Sequence, residues 1–244
     1  MQYIFYKNFI NQNERIILYI GGGGKKTLIH RISQDCKKDK KKVLILSLFP
    51  FTTPLESDVI IMNDLSLLKN IEHELNMKKI IYLGKEYQKN YIEGFSLKEV
   101  KKIVQEVDVD HIFIKGDYTG KRRSISSYER IRTSYPFKID RIINIIGSDS
   151  FNQTVNQNWI VSKDIFWKNN PILSPYNIVN WLKKHPVLNV YKEKSIPSTY
   201  FINKVENIFI ENLSIPLAKN LKLWGIDKVI IGSIFNSNIQ IIKD

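Results

Sequence analysis

Short apolar runs bounded by turn residues alternate along the chain with segments of helical period, the pattern of a mostly parallel sheet covered by helices. Runs at 16–20, 43–48, 59–62, 80–83, 111–114, 141–146, 199–202 and 228–231 read as strands. After the first of them Leu28, Ile32 and Cys36 recur at i, i+4 and i+8, which places them on one helix face. Asp64 caps a helix over 65–75, and Ser96 with Glu99 makes a capping-box pattern ahead of Leu97, Val100, Ile103 and Val104. The Ser174-Pro175 pair opens another helix, running to about residue 185, and a last one is expected near 216–223. No internal repeat or linker breaks the series, so residues 1–244 read as a single domain.

In an open α/β sheet, ligands bind beyond the C-terminal ends of the strands, so the residues directly after each apolar run carry the candidate chemistry. Gly21, Gly22, Gly23, Gly24, Lys25, Lys26 and Thr27 follow the first strand. Such a turn aims backbone N–H groups at phosphate oxygens, the helix N-terminus adds partial positive charge, and a lysine reaches the terminal phosphates. The fold class expected from this order is α/β, a P-loop NTPase-like three-layer domain. The spacing departs from G-x-x-x-x-G-K-[ST], because Tyr19 falls at the first glycine position and Lys26 at the hydroxyl position. A turn slipped by one residue would make Lys26 the phosphate lysine and Thr27 the metal ligand, with Lys25 in place of a glycine.

Ser47 follows the second strand, Asp117 a central one, and Gly232 with Ser233 the last. Asn203, Lys204, Val205 and Glu206 resemble the N-K-x-D loop of GTPases, where a carboxylate accepts hydrogen bonds from guanine; ATP or GTP is therefore the expected ligand, with any base preference leaning toward guanine. Lys121, Arg122 and Arg123 form a basic run that reads as a solvated loop or a phosphate contact. His30, His73, His111 and His185 show no metal-ligand spacing with one another or with Cys36, and neither a nucleophile elbow nor a paired-carboxylate site stands out.

Apolar side chains make up 43% of the 244 residues, enough for one sizeable core. Lys and Arg number 37 against 24 Asp and Glu, a formal net charge of +13, which favours anionic partners unless a general Lys, Asn and Ile bias produced it. Nucleic acid is not the expected partner, since no ordered basic helix or aromatic ladder accompanies the charge. The single cysteine fits a reducing compartment, and no apolar stretch approaches the ~20 residues of a membrane span. A cytoplasmic protein without membrane partners is expected.

The order of these residues resembles the YqeC family, the accessory proteins of selenium-dependent hydroxylases, over nearly the whole chain. Its G-x-G-G-K-T-[TS] turn is similar to Gly21 through Thr27 with Lys25 at the lysine. Its E-A-D-G strand end is similar to Lys115, Gly116, Asp117 and Tyr118. The Ser174-Pro175 helix start, the 203–206 loop and Gly232-Ser233 follow in the same order. Lys26 replaces the family's hydroxyl, Lys115 its glutamate, Ser47 its Thr-rich segment, and Val161 with Ser162 its His-Arg pair. The resemblance implies a nucleotide-binding accessory factor in maturing selenium-dependent molybdenum hydroxylases, with that enzyme or its maturation machinery as partner. Asp117 would be the metal-side carboxylate, for Mg2+. Because Lys26 cannot ligate a cation, NTP hydrolysis by this degenerate P-loop is expected to be weak or absent, and no catalytic residue is assigned. The rival readings are a non-enzymatic nucleotide-sensing or protein-interaction module and a nucleic-acid-binding protein.

Overall fold

The computed structural model describes residues 5–52, 58–88, 91–118, 123–160, 164–235 and 239–242. In chain order these carry β1 (Ile16–Gly21), α1 (Lys25–Lys38), β2 (Val43–Ser47), β3 (Val59–Ile61), α2 (Leu68–Lys78) and β4 (Ile80–Gly84). There follow a two-residue pair, β5 (Tyr87–Gln88) and β6 (Tyr91–Ile92), then α3 (Leu97–Glu106), β7 (His111–Lys115) and β8 (Arg141–Gly147). The remainder is α4 (Ile165–Asn169), α5 (Pro175–Lys184), α6 (Pro186–Glu193), β9 (Ser198–Asn203), α7 (Ile208–Leu223), β10 (Lys228–Gly232) and β11 (Ile239–Ile242). Nine of these strands pair mostly in parallel and helices flank them, the α/β architecture of a three-layer, P-loop-like fold.

Internal contacts gather into two compact units interleaved along the chain. The first holds Met1–Tyr19, Lys26–Gly116 and Ser134–Arg141. Its strands lie in the order β1-β7-β2-β4-β3, all parallel, and β1, β2 and β4 are buried along their whole length. Unbroken apolar runs such as Val43 to Leu46 have this burial as their cause, since a parallel strand is covered on both faces. Leu28, Ile32 and Cys36 are buried as the helical period requires. The capping box closes α3: Ser96 N–H donates to Glu99 Oε2 at 2.7 Å, and Glu99 N–H donates to Ser96 Oγ. Glu14 and Arg141 form a buried two-pronged ion pair, with Arg141 Nε 2.8 Å from Oε2 and Nη2 2.7 Å from Oε1.

His111 is fully buried in the same unit. Its Nδ1 lies 2.7 Å from the Glu14 carbonyl oxygen, so Nδ1 carries the proton, while Nε2 is buried without a hydrogen-bond partner among the described residues. Burial pushes the imidazole pKa down from 6.5; Asp110 and Glu14 oppose the shift and Lys41 adds to it. A depressed folded pKa means that the unfolded chain binds the proton first. The contribution is complete above pH 6.5 and is lost as the pH falls toward the folded pKa; His30 and His185 shift the same way, also chiefly through burial. Urea denaturation should therefore show lower stability at about pH 5.5 than at about pH 7.5. The difference should shrink in His111→Gln; equal stability at both values would refute the assignment.

The second unit holds Ile20–Lys25, Asp117–Thr133 and Ile142–Asp244. Here β8, β9 and β10 pair in parallel in that order, and β11 closes the edge antiparallel to β10. Helix α7 begins at Ile208, well before the expected 216–223 segment, because Asn207 caps it by accepting from Ile210 N–H at 3.0 Å. Pro216 lies inside the helix rather than at its start. No helix among the described residues is long and apolar enough to cross a membrane.

Candidate functional site

The glycine turn belongs to the second unit and is built where β1 gives way to α1. Gly21 has φ +97°, and a Cβ there would stand 2.1 Å from the Ile145 carbonyl oxygen, so only glycine satisfies this position. The turn amides have partners within the chain. Gly21 N–H donates to Asp117 Oδ2 at 3.0 Å, Gly22 N–H to Ile145 O at 2.8 Å, and Gly23 N–H to Arg123 O at 2.8 Å.

Lys25 begins α1, yet its side chain folds back over the glycines. Nζ donates to the Gly21 carbonyl and lies 2.6 Å from Asp117 Oδ1, and the two side chains are only 4% and 2% exposed. Asp117 Oδ2 also accepts from Ser126 Oγ at 2.7 Å. Thus Asp117, the carboxylate expected on the metal side, faces an ammonium, a backbone N–H and a hydroxyl. A Mg2+ ion on Oδ1 would have to displace the Lys25 ammonium, and one on Oδ2 would compete with the Gly21 N–H and the Ser126 hydroxyl, so with Lys25 in place the residues present do not fit a metal at that carboxylate. Among the described residues no group of three or more His, Cys, Asp or Glu side chains is placed to hold a metal ion.

Asn203 is buried at the end of β9 and clamps the turn. Its Nδ2 donates to Gly23 O at 2.7 Å, its Oδ1 accepts from Ile234 N–H at 3.2 Å, and its carbonyl accepts from Ser148 Oγ at 2.9 Å. Lys204 holds a left-handed φ of +69° and pairs with Asp149, which also accepts from Ser124 Oγ. Glu206 is exposed, with Ser233 Oγ 3.4 Å from its Oε1, and Val205 N–H donates to Gly232 O. Gly24 is half-buried, and a Cβ there would come within 2.6 Å of Asn203 Nδ2.

Lys26 and Thr27 fall in the first unit. Lys26 is exposed, with Nζ 3.3 Å from Thr52 Oγ1, and Thr27 is half-buried. Ser47 makes a local turn, its Oγ donating to Phe49 O at 2.6 Å. Lys121, Arg122, Val161 and Ser162 lie outside the described residues.

The residues that sequence reasoning missed are Ser124, Ser126, Asn144 and Asp149. Asn144 accepts from Tyr128 Oη at 2.8 Å, and its Oδ1 is 2.6 Å from where a Gly21 Cβ would lie. One signal was available: the strand-end rule applied to the run 141–146 selects Gly147, Ser148 and Asp149. The turn, with this polar surround, lies in the region that decides the relationship of the chain: the YqeC protein family matches residues 17–164. The chain belongs to the YqeC family. That match covers the glycine turn, Lys25, Asp117, Ser124, Ser126 and Asp149, whereas Asn203 to Glu206 fall beyond it. A comparison with curated proteins finds no match.

Proposed function

We propose that this YqeC family member is a cytoplasmic nucleotide-binding accessory protein that senses ATP or GTP without turning it over rapidly. Its service would be the maturation of selenium-dependent molybdenum hydroxylases, as the family resemblance implies. The observation that carries the nucleotide reading is Lys25, whose ammonium is folded over the glycine turn and balanced by the one carboxylate of Asp117. A buried ammonium must keep an anion beside it, so a phosphate can enter only by exchange with Asp117. The exchange gives the ammonium one anion for another, so it is at no point left alone.

The residue after Lys25 supports slow or absent hydrolysis. Transition-state stabilisation in P-loop enzymes uses a cation held by a hydroxyl and a carboxylate. In this chain Lys26, which cannot ligate a cation, stands at the hydroxyl position. Lysine charge alone stabilises bound nucleotide and transition state about equally, which does not raise turnover.

Calorimetric titration of ATP and GTP tests binding. A Lys25→Met/Asp117→Asn double variant removes the ammonium without stranding the carboxylate and should lose about 1.5 to 3 kcal/mol of affinity. No binding of either nucleotide at millimolar concentration would refute the reading. Phosphate release with Mg2+ should be negligible in the wild type; robust release abolished by Thr27→Ala would show an enzyme in the slipped register instead. Competition between GTP and ATP, with and without Glu206→Ala, tests whether the 203–206 loop reads the base.

A further inference from the structure

The N–H groups of Gly21, Gly22 and Gly23 and the Lys25 ammonium are held by the protein itself, and one short segment supplies or anchors much of that closure. Residues 123–126 lie directly on the glycine turn. Arg123 O accepts from Gly23 N–H at 2.8 Å, and a Cβ on Gly22 would meet Ile125 N and the Ser124 carbonyl carbon at 2.6 Å. The segment is fastened on both flanks. Ser124 Oγ donates to Asp149, Ser124 O accepts from Gly147 N–H at 2.7 Å, and Ser126 Oγ donates to Asp117 at 2.7 Å, so the second fastening holds the partner of Lys25. Asp149 continues the chain of contacts to Lys204 of the 203–206 loop.

We propose that residues 123–126 are an autoinhibitory strap: they hold the glycine turn closed, and phosphate binds only to the fraction of molecules in which the strap has lifted from Gly23 and Asp117 has left Lys25. The inference rests on the nucleotide reading above. It adds that the affinity measured for the wild type is the intrinsic affinity reduced by the open fraction. The two serine hydroxyls set that fraction without themselves being donors from the turn, so deleting them shifts the closed-to-open equilibrium.

The test is titration of the full chain with ATP and with inorganic tripolyphosphate, for wild type, Ser124→Ala and Ser126→Ala. Each hydroxyl is worth roughly one net hydrogen bond, so each variant should bind about fivefold tighter than wild type. The phosphate chain alone, as tripolyphosphate, should show the same gain. Folded variants that bind with wild-type or weaker affinity would overturn the strap while leaving nucleotide binding intact. Absence of binding in every protein would overturn the nucleotide reading and the strap with it. Hydrogen exchange on the wild type supplies a readout that needs no variant: saturating ATP should speed exchange in peptides covering 123–126, and bound ATP that slows it would overturn the strap.

Discussion

Lys25→Ala should destabilise the protein by about 3 to 5 kcal/mol, the cost of leaving one member of a buried ion pair without the other. The carboxylate stranded in that variant, Asp117, is 2% exposed and keeps the Gly21 N–H and the Ser126 hydroxyl as its donors among the described residues. Asp117→Ala should cost as much, because it strands the Lys25 ammonium and also orphans those two donors. The pair variant Lys25→Met/Asp117→Asn removes both charges and keeps an acceptor for both donors, so it should recover at least half of the single-variant loss. Urea denaturation of the four proteins compares the losses. Single losses below about 1 kcal/mol would mean that water reaches the pair and that the ammonium needs no fixed anion. The phosphate-exchange argument would then lose its physical basis.

Gly21→Ala should cost about 4 kcal/mol or more, a loss large enough to require a specific steric cause. Two effects add. Positive φ costs an alanine roughly 1 to 2 kcal/mol, and the new methyl would lie 2.1 Å from the Ile145 carbonyl oxygen, which is backbone of β8 and accepts from Gly22 N–H. The oxygen cannot retreat without breaking that bond. Gly225 separates the effects, for it has φ +88° but its nearest neighbour is Lys192 Cε at 3.5 Å, the far part of a flexible side chain. Gly225→Ala should therefore show the conformational cost alone, about 1 to 2 kcal/mol. Thermal or urea melts of the two variants give the comparison, and similar losses would show that β8 yields at Ile145.

The strand, glycine turn and helix at 16–38 were legible in the sequence because each signal acts over a few residues: an unbroken apolar run, glycines, then Leu28, Ile32 and Cys36 at helical spacing. The same holds for the Ser96–Glu99 capping box, where both hydrogen bonds close within three residues. Helix α7 marks the limit of local reading. Pro216 resembles a helix start, yet the Asn207 cap and the buried face of Ser214, Leu217, Ala218 and Leu221 carry the helix through it. The strand-end rule also placed Gly21 to Lys25, Asp117 and Asn203 among the site candidates. It could not say what each would touch. That Lys25 is answered by Asp117, that Ser126 shares the same carboxylate, and that Asn203 holds Gly23 depend on which strand ends the fold brings side by side. Local sequence sets a residue's period and turn chemistry. The partner of a buried charge is set by desolvation, which penalises every arrangement leaving that charge alone and can be met only by groups that tertiary structure delivers.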